Sequence, residues 1–177
     1  SDALYVGRGL DDLGIYWFEE PIAPEDYEGY KELKNKLKTN IAGGEAEFTK
    51  WGWRHLIQNR CIDIAQPEVC GLGGITEYLK VVALAQANFI PVVNHVWGSA
   101  LSIAVNLHLL TAMPDMPGGL FPAKPMLEFD TTDKNIFISD LTEEKFDIFD
   151  QVKKNKGFVK VLEGHGIGLN PNINFIK

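Results

Sequence analysis

Short apolar runs alternate along this chain with longer segments in which hydrophobic residues recur at helical spacing. Each of four apolar runs ends at one ionisable side chain, and these are Glu19, Glu45, Glu68 and His95. A strand, a helix and two short loops together occupy roughly 25 residues, and the four side chains are spaced by about that interval. The pattern therefore predicts repeated β/α units.

The segments between the runs carry apolar residues at the spacing of amphipathic helices. We predict helices at 3–13, 25–37, 49–59 with Thr49 as N-cap, 75–88, and 99–113 ended by Pro114. A fifth strand-like run covers 125–129. Strands joined in this way lie parallel, and their carboxyl ends emerge on one face. The predicted fold class is α/β, with about five β/α units of a (β/α) barrel, in which active sites lie at that face.

The β/α rhythm ends near residue 130. Beyond it the pattern predicts only a short helix at 143–150 and a lone strand at 157–161. We therefore assign residues 1–140 to part of a barrel and 141–177 to an extension that packs outside it. A closed barrel takes eight strands, and open parallel edges are normally avoided. We expect this chain to be the C-terminal portion of a longer protein.

The composition is 45% hydrophobic and 23% charged, as in a globular protein with a sizeable core. A net charge of −7 argues against nucleic-acid and anionic-membrane partners. No apolar run approaches the roughly 20 residues of a membrane span. Cys61 and Cys70 have no metal-site spacing and are predicted to be buried free thiols. These features predict the cytoplasm.

Glu19 and Glu45 are predicted at neighbouring strand ends, where two carboxylates repel each other unless a proton or a cation lies between them. Oxygen ligands suit a hard cation such as Mg²⁺. The alternative for Glu19 is a salt bridge at the barrel rim. Glu20 follows directly and is predicted to point to the other side of its strand, with a supporting or structural role.

Glu68 and His95 end the next two strands. A carboxylate beside an imidazole fixes the tautomer of the ring and raises its basicity, which suits a general base. The alternative is a histidine that only makes structural hydrogen bonds, the interpretation we give to the other three histidines. Glu128 ends the fifth run and could exchange a hydrogen bond with a substrate oxygen.

Gly71, Gly73 and Gly74 precede a predicted helix and could suggest a phosphate-binding loop. The Lys-Ser/Thr pair of a P-loop is absent and the glycine spacing differs from GxGxxG. Tight packing of a strand against a helix is the better interpretation.

Several of these motifs resemble a known family. They are Trp17–Pro21 (WFEEP), Gly43–Glu45 (GGE), Gln66–Glu68 (QPE) with Gly73 and Gly74, Asn94–Gly98 (NHVWG) and Leu127–Asp130 (LEFD). The set is similar to the C-terminal barrel of the enolase superfamily, mandelate racemase-like subgroup (mandelate racemase/muconate lactonizing enzyme). The resemblance runs from about residue 10 into the glycine-rich end at 166–169, which resembles the family's return to its capping domain.

The resemblance implies that Glu19 and Glu45 are the second and third Mg²⁺ ligands. It also implies that Glu68 and His95 form the acid–histidine dyad, and that Glu128 hydrogen-bonds the enolate. The family usually has Asp where Glu68 stands. Its first metal ligand, its Lys-x-Lys acid/base pair and its N-terminal capping domain do not occur in this sequence.

By the same resemblance, the expected activity is Mg²⁺-dependent abstraction of the proton α to a carboxylate. The closest likeness is to sugar-acid dehydratases and to the galactarolactone cycloisomerase group. We expect a dehydratase acting on a sugar acid, as a homo-oligomer when full length. The alternatives are a cycloisomerase or racemase of the same superfamily, and a non-catalytic fragment or decayed paralogue.

Overall fold

The structure is a computed structural model that describes residues 2–114, 126–130, 135–144 and 146–177. Its helices are α1 (Asp2–Leu13), α2 (Tyr27–Lys36), α3 (Thr49–Gln58), α4 (Val69–Leu72), α5 (Ile75–Ala87), α6 (Ala100–Ala112), α7 (Ile136–Ser139), α8 (Ile148–Lys154) and α9 (Ile173–Ile176). Its strands are β1 (Trp17–Glu19), β2 (Asn40–Gly43) and β3 (Ile64–Ala65). The five helices predicted up to residue 113 are present with small shifts at their ends.

The strands form a parallel sheet in the order β1-β2-β3. Phe18 aligns with Ile41, and Ala42 aligns with Ile64. The fourth apolar run continues this order, because Ala65 pairs in parallel with Val92. The predicted α/β fold class with parallel strands is confirmed. It follows that the carboxyl ends of four successive runs emerge on one side.

The chain divides into two compact units. The first holds the described residues up to His95 together with Pro114, and the second holds Val96–Met113 and the described residues from 126 onward. The predicted boundary between residues 140 and 141 concerns the domains of a longer protein and stays a prediction.

In the first unit, one face of the sheet forms an apolar cluster of Trp17, Ala42, Ile64 and Val93. Helices α3 and α5 pack against each other. Their buried faces include Trp53 and Ile57 on α3, and Val81 on α5. An amphipathic stripe of this kind is what stabilises a helix in a folded protein, because propensity alone is weak.

In the second unit, α6 is apolar on most sides and is accordingly buried. The core around it consists of Val96, Ala100, Ile103, Ala104, Leu107, Ile138, Phe146, Ile148 and Leu169. His108 on α6 lies 3.2 Å through Nε2 from the carbonyl oxygen of Ile167, which ties the C-terminal segment to the helix. None of the helices among the described residues is long and apolar enough to cross a membrane.

Three predictions of local structure after residue 125 need correction or lie partly outside the described residues. The predicted helix 143–150 is α8, seven residues long, because Asp147 accepts the Asp150 N–H at 3.0 Å as its N-cap. The predicted strand 157–161 is absent, since Gly157 has φ +90° and the Lys160 N–H donates to Gln151 instead of to a strand. Residues 126–130 contain no regular strand, and Pro125 lies outside the described residues.

Two smaller predictions in the first unit are wrong. Phe48, not Thr49, is the N-cap residue of α3, and Thr49 has φ +54°, which is rare for a β-branched residue. Cys61 is buried as predicted, whereas Cys70 is exposed at the start of α4.

Asp11, near the end of α1, anchors the turn before β2. Its Oδ1 accepts hydrogen bonds from the Lys38 N–H at 2.9 Å, the Thr39 N–H at 2.6 Å and the Thr39 hydroxyl at 2.7 Å. These bonds favour the charged form, the Thr39 hydroxyl most, and they lower the pKa of Asp11 below its usual range.

We expect Asp11→Asn to reduce the acid sensitivity of folding. Because the folded-state pKa is lowered, the carboxylate stabilises the fold fully above its unfolded-state pKa of about 3.9. This contribution is lost as the pH falls through the lower folded-state value. Thermal melts between about pH 7 and about pH 2 should show a smaller fall in Tm for the variant than for wild type. Asp12→Asn removes a neighbouring charge without touching these bonds and is the matched control; equal pH profiles for Asp11→Asn and wild type would contradict the expectation.

Candidate functional site

The four ionisable residues that end the apolar runs lie at the ends of neighbouring paired strands or just beyond them. Glu19 is the last residue of β1, and Glu45 comes two residues after β2. Glu68 comes three residues after β3, and His95 follows the paired residue Val92 by three. Side chains alternate along a strand, so Glu19 shares the face of Trp17 and His95 that of Val93. Trp17 and Val93 belong to one apolar cluster, so Glu19 and His95 lie on the same face of the sheet as that cluster.

His95 lies between two carboxylates. Its Nδ1 is 3.1 Å from Glu68 Oε2, and its Nε2 is 2.9 Å from Glu45 Oε2. The side chain of His95 is 11% exposed, that of Glu68 16% and that of Glu45 37%. Glu45 is thus more exposed than His95 or Glu68, so the Nε2 side of the ring is the side that a ligand would approach.

Glu68 uses both of its oxygens. Oε1 accepts the Cys70 N–H at 2.9 Å and caps α4, while Oε2 faces His95. Hydrogen bonds between a side chain and the backbone at a helix start restrict the side chain to one orientation. The carboxylate that faces the imidazole is thus fixed by the local fold before any ligand binds.

Glu19 and Glu20 occupy the end of β1. Glu19 Oε2 accepts a hydrogen bond from the Trp17 indole at 3.2 Å. Glu20 has φ +37°, and its Oε1 lies 3.4 Å from the Gly44 N–H. Burial raises the pKa of Glu20, and the negative charge of Glu45 raises it further. Negative charge is therefore concentrated at the ends of β1 and β2.

The contact between Glu20 and the Gly44 N–H does not follow from strand alternation. Strand alternation predicts that Glu20 points away from Glu19. The positive φ at Glu20 changes the direction of the chain there. No signal in the sequence identifies a positive φ at a glutamate, and the following Pro21 indicates only that the strand stops.

Glu128 belongs to the second unit. Its Oε2 accepts the N–H of Val96, the residue that follows His95 in the chain, at 2.8 Å. The structure thus brings Glu45, Glu68 and His95 into direct contact. Glu19 lies on the neighbouring strand, and the predicted role of Glu128 toward a substrate stays a prediction.

The donor set can be tested against the predicted magnesium. Within the described residues, no group of three His, Cys, Asp or Glu side chains could hold a metal ion by itself. Glu19 and Glu45 do supply the right donors, because hard cations prefer carboxylate oxygens and Mg²⁺ usually keeps several positions for water and substrate. The residues fit a partial ligand set.

Gly44 allows the sheet to turn into the segment that carries Glu45. It has φ +114°, and a Cβ at this position would overlap the ring of buried Trp53. We expect Gly44→Ala to destabilise the fold by about 1–3 kcal/mol through overpacking and backbone strain. Denaturant unfolding measures this change. Gly9→Ala on α1 is the matched control, since nothing lies within 4 Å of its added Cβ; a neutral Gly44→Ala would contradict the expectation.

Comparison with known proteins places the chain in a family. The family model described as enolase C-terminal domain-like matches residues 1–174. The D-galactarolactone cycloisomerase of Agrobacterium fabrum is 32% identical over 172 residues, which cover 97% of this chain and 44% of that enzyme. The arabinonate dehydratase of Saccharolobus solfataricus is 35% identical over 113 residues, which cover 64% of this chain and 30% of that enzyme.

Solved structures agree with the sequence comparison. The crystal structure of the 3,6-anhydro-D-galactonate cycloisomerase from Zobellia galactanivorans matches with a TM-score of 0.79 and 30% identity, covering 98% of this chain and 45% of that one. The chain thus spans less than half the length of these relatives. The resemblance identified from the sequence motifs is confirmed. The chain belongs to the enolase superfamily, with the enolase C-terminal domain-like fold of its mandelate racemase-like subgroup.

Proposed function

We propose that this chain contributes the histidine half of an active site that removes the proton α to the carboxylate of a sugar acid. The observation that carries the proposal is the contact of His95 with Glu68 through Nδ1 and with Glu45 through Nε2. A ring whose Nδ1–H is held by a carboxylate takes up and releases protons at Nε2, and a carboxylate such as Glu45 accepts a hydrogen bond from Nε2 only while that atom carries a proton. His95 is therefore the proposed general base.

Glu19 and Glu45 are proposed as two of the Mg²⁺ ligands, and further ligands would complete the coordination. Bound there, the metal would supply positive charge to the substrate carboxylate and so favour loss of the α proton. The two glutamates bring the required oxygen donors to neighbouring strand ends. Glu20, behind them, lies within hydrogen-bonding reach of the Gly44 backbone and supports the segment that carries Glu45.

In the dehydratase reaction, His95 Nε2 takes the proton from the α carbon. The electron pair of that C–H bond forms a C=C bond as the C–O bond at the β carbon breaks. The departing hydroxyl takes a proton from the imidazolium and leaves as water, and the resulting enol becomes a 2-keto acid. One histidine can serve both steps because the ring gains a proton in the first and loses it in the second. Glu68 keeps the ring oriented throughout.

A cycloisomerase is the second candidate. The relative that matches 97% of this chain is a cycloisomerase, and so is the protein in the structural match described above. Such a reaction would use the same base but rearrange a ring without releasing water. We retain as further predictions a homo-oligomer in the cytoplasm, with neither nucleic-acid nor membrane partners.

The experiment is a screen of the full-length protein against sugar acids and their lactones, with Mg²⁺ and with chelator. A dehydratase yields a 2-keto acid that has lost one water, whereas a cycloisomerase yields a product of unchanged mass. Exchange of the α proton in D₂O detects proton abstraction even without net turnover. If no acid shows Mg²⁺-dependent turnover or α-proton exchange, the non-catalytic alternative holds and the proposal fails.

A further inference from the structure

The residue before His95 is anchored in a different layer of the fold. Val93 packs in the apolar cluster under the sheet, so alternation turns Asn94 to the opposite face and brings His95 back. On that opposite face lies Tyr78, on α5. Its hydroxyl donates a hydrogen bond to Asn94 Oδ1, and both residues are 0% exposed.

A hydrogen bond between two fully buried groups is a strong positional restraint. Neither partner can exchange it for a bond to water, so breaking it leaves a desolvated polar group. Burial also raises the pKa of Tyr78, which keeps the hydroxyl protonated and able to donate. Tyr78 lies on the buried face of α5, together with Val81, Val82 and Ala85.

The same helical segment also holds Glu68. Glu68 caps α4, and Gly73 and Gly74, both with positive φ, connect α4 directly to α5. Helices α4 and α5 pack against each other. Both members of the Glu68–His95 pair are thus attached to the α4–α5 segment. Glu68 is attached through the α4 cap, and His95 is attached through Asn94 and Tyr78.

We infer that Tyr78 is a positioning residue, which sets the orientation of His95 toward Glu68 through its buried hydrogen bond to Asn94. The inference rests on the proposed function for its catalytic meaning, but the geometric statement stands by itself. Nothing in this role requires Tyr78 to touch the substrate, since its hydroxyl lies on the helix side of the sheet.

Tyr78→Phe removes the hydroxyl oxygen and keeps the buried aromatic ring on α5. Without the donor, Asn94 loses one buried restraint, and we expect the imidazole of His95 to move relative to Glu68. Misplacement of a catalytic group by an ångström or less typically lowers the rate of the chemical step. We expect kcat to fall about tenfold, with KM little changed because the substrate-binding groups stay in place.

The test uses the full-length protein and two readouts. The first is the set of ring ¹⁵N–¹H correlations of His95, identified by their loss in His95→Asn and recorded at one fixed pH without substrate. The second is kcat and KM on the sugar acid that the screen identifies. Val81→Ala is the matched control, because it leaves a cavity on the same buried face of α5 but keeps the Tyr78 hydroxyl.

We expect Tyr78→Phe to move the His95 ring signals and lower kcat, while Val81→Ala lowers Tm without either change. If the ring signals in Tyr78→Phe match those of wild type, the inference is overturned. It is also overturned if the two variants lower kcat equally for equal losses of Tm. If the wild-type protein shows no turnover, only the proposed function is contradicted. The His95 ring signals of Tyr78→Phe still report whether Tyr78 positions His95.

Discussion

Replacement of His95 by asparagine should lower turnover of the full-length protein by about 10²–10⁴-fold, the usual contribution of a general base. The expected loss follows from the geometry, because no other ionisable group contacts both Glu45 and Glu68 among the described residues. Asparagine keeps a polar group at the position but has no basic nitrogen. The measurements are kcat on the sugar acid found in the screen and the rate of α-proton exchange.

The fold should survive this change, since His95 lies at a strand end and not in the apolar core. His55→Asn is the matched control, because His55 is an exposed residue on α3 stacked beside Tyr27 at 6.1 Å. It should leave turnover unchanged. Wild-type turnover in His95→Asn, with Tm also unchanged, would assign the proton abstraction to a group outside this chain's strand ends.

Glu45→Gln should remove Mg²⁺-dependent activity. The change is nearly isosteric but deletes the carboxylate charge that the proposed cation would require. Residues that support metal ligands indirectly already cost up to about 100-fold in affinity or activity when mutated, so a proposed direct ligand should cost at least that much. Calorimetric Mg²⁺ titration and activity against Mg²⁺ concentration measure the effect.

A second readout of Glu45→Gln does not depend on activity. Burial is the largest cause of the raised pKa of Glu20 and the charge of Glu45 is the next, so the variant should lower that pKa part of the way toward its usual range. Carboxyl ¹³C titration follows this shift. Glu47→Gln is the control, because Glu47 accepts a 2.6 Å hydrogen bond from Tyr27 instead of facing His95. Unaltered Mg²⁺ affinity in Glu45→Gln would remove Glu45 from the proposed ligand set.

The sequence was sufficient to bring the strand-end residues together because parallel topology is a strong constraint. Once Glu45, Glu68 and His95 were each assigned to the end of an apolar run, right-handed β/α connections left one face on which they could meet. Their periodic spacing therefore carried three-dimensional information. The contact of His95 with Glu68 joins neighbouring runs, whereas its contact with Glu45 joins runs on either side of β3.

Features set by backbone strain or by distant partners could not be predicted in this way. The positive φ values of Glu20 and Thr49 depend on the packing of their surroundings, and neither residue type signals them. The predicted strand at 157–161 had suitable apolar residues. A strand also needs a partner, however, and the Lys160 N–H is instead bonded to the Gln151 side chain.

Glu68 makes two contacts with one side chain: it caps α4 and it faces the imidazole of His95. One oxygen starts α4 and the other faces the imidazole, so the length of this side chain is matched to both contacts at once. Aspartate is shorter by one C–C bond, roughly 1.5 Å, and from the same backbone it would reach one partner and lose the other. In evolutionary terms, Glu and Asp are therefore not neutral alternatives in this chain. Replacing Glu68 by Asp would need a compensating shift at the start of α4 for both contacts to be kept.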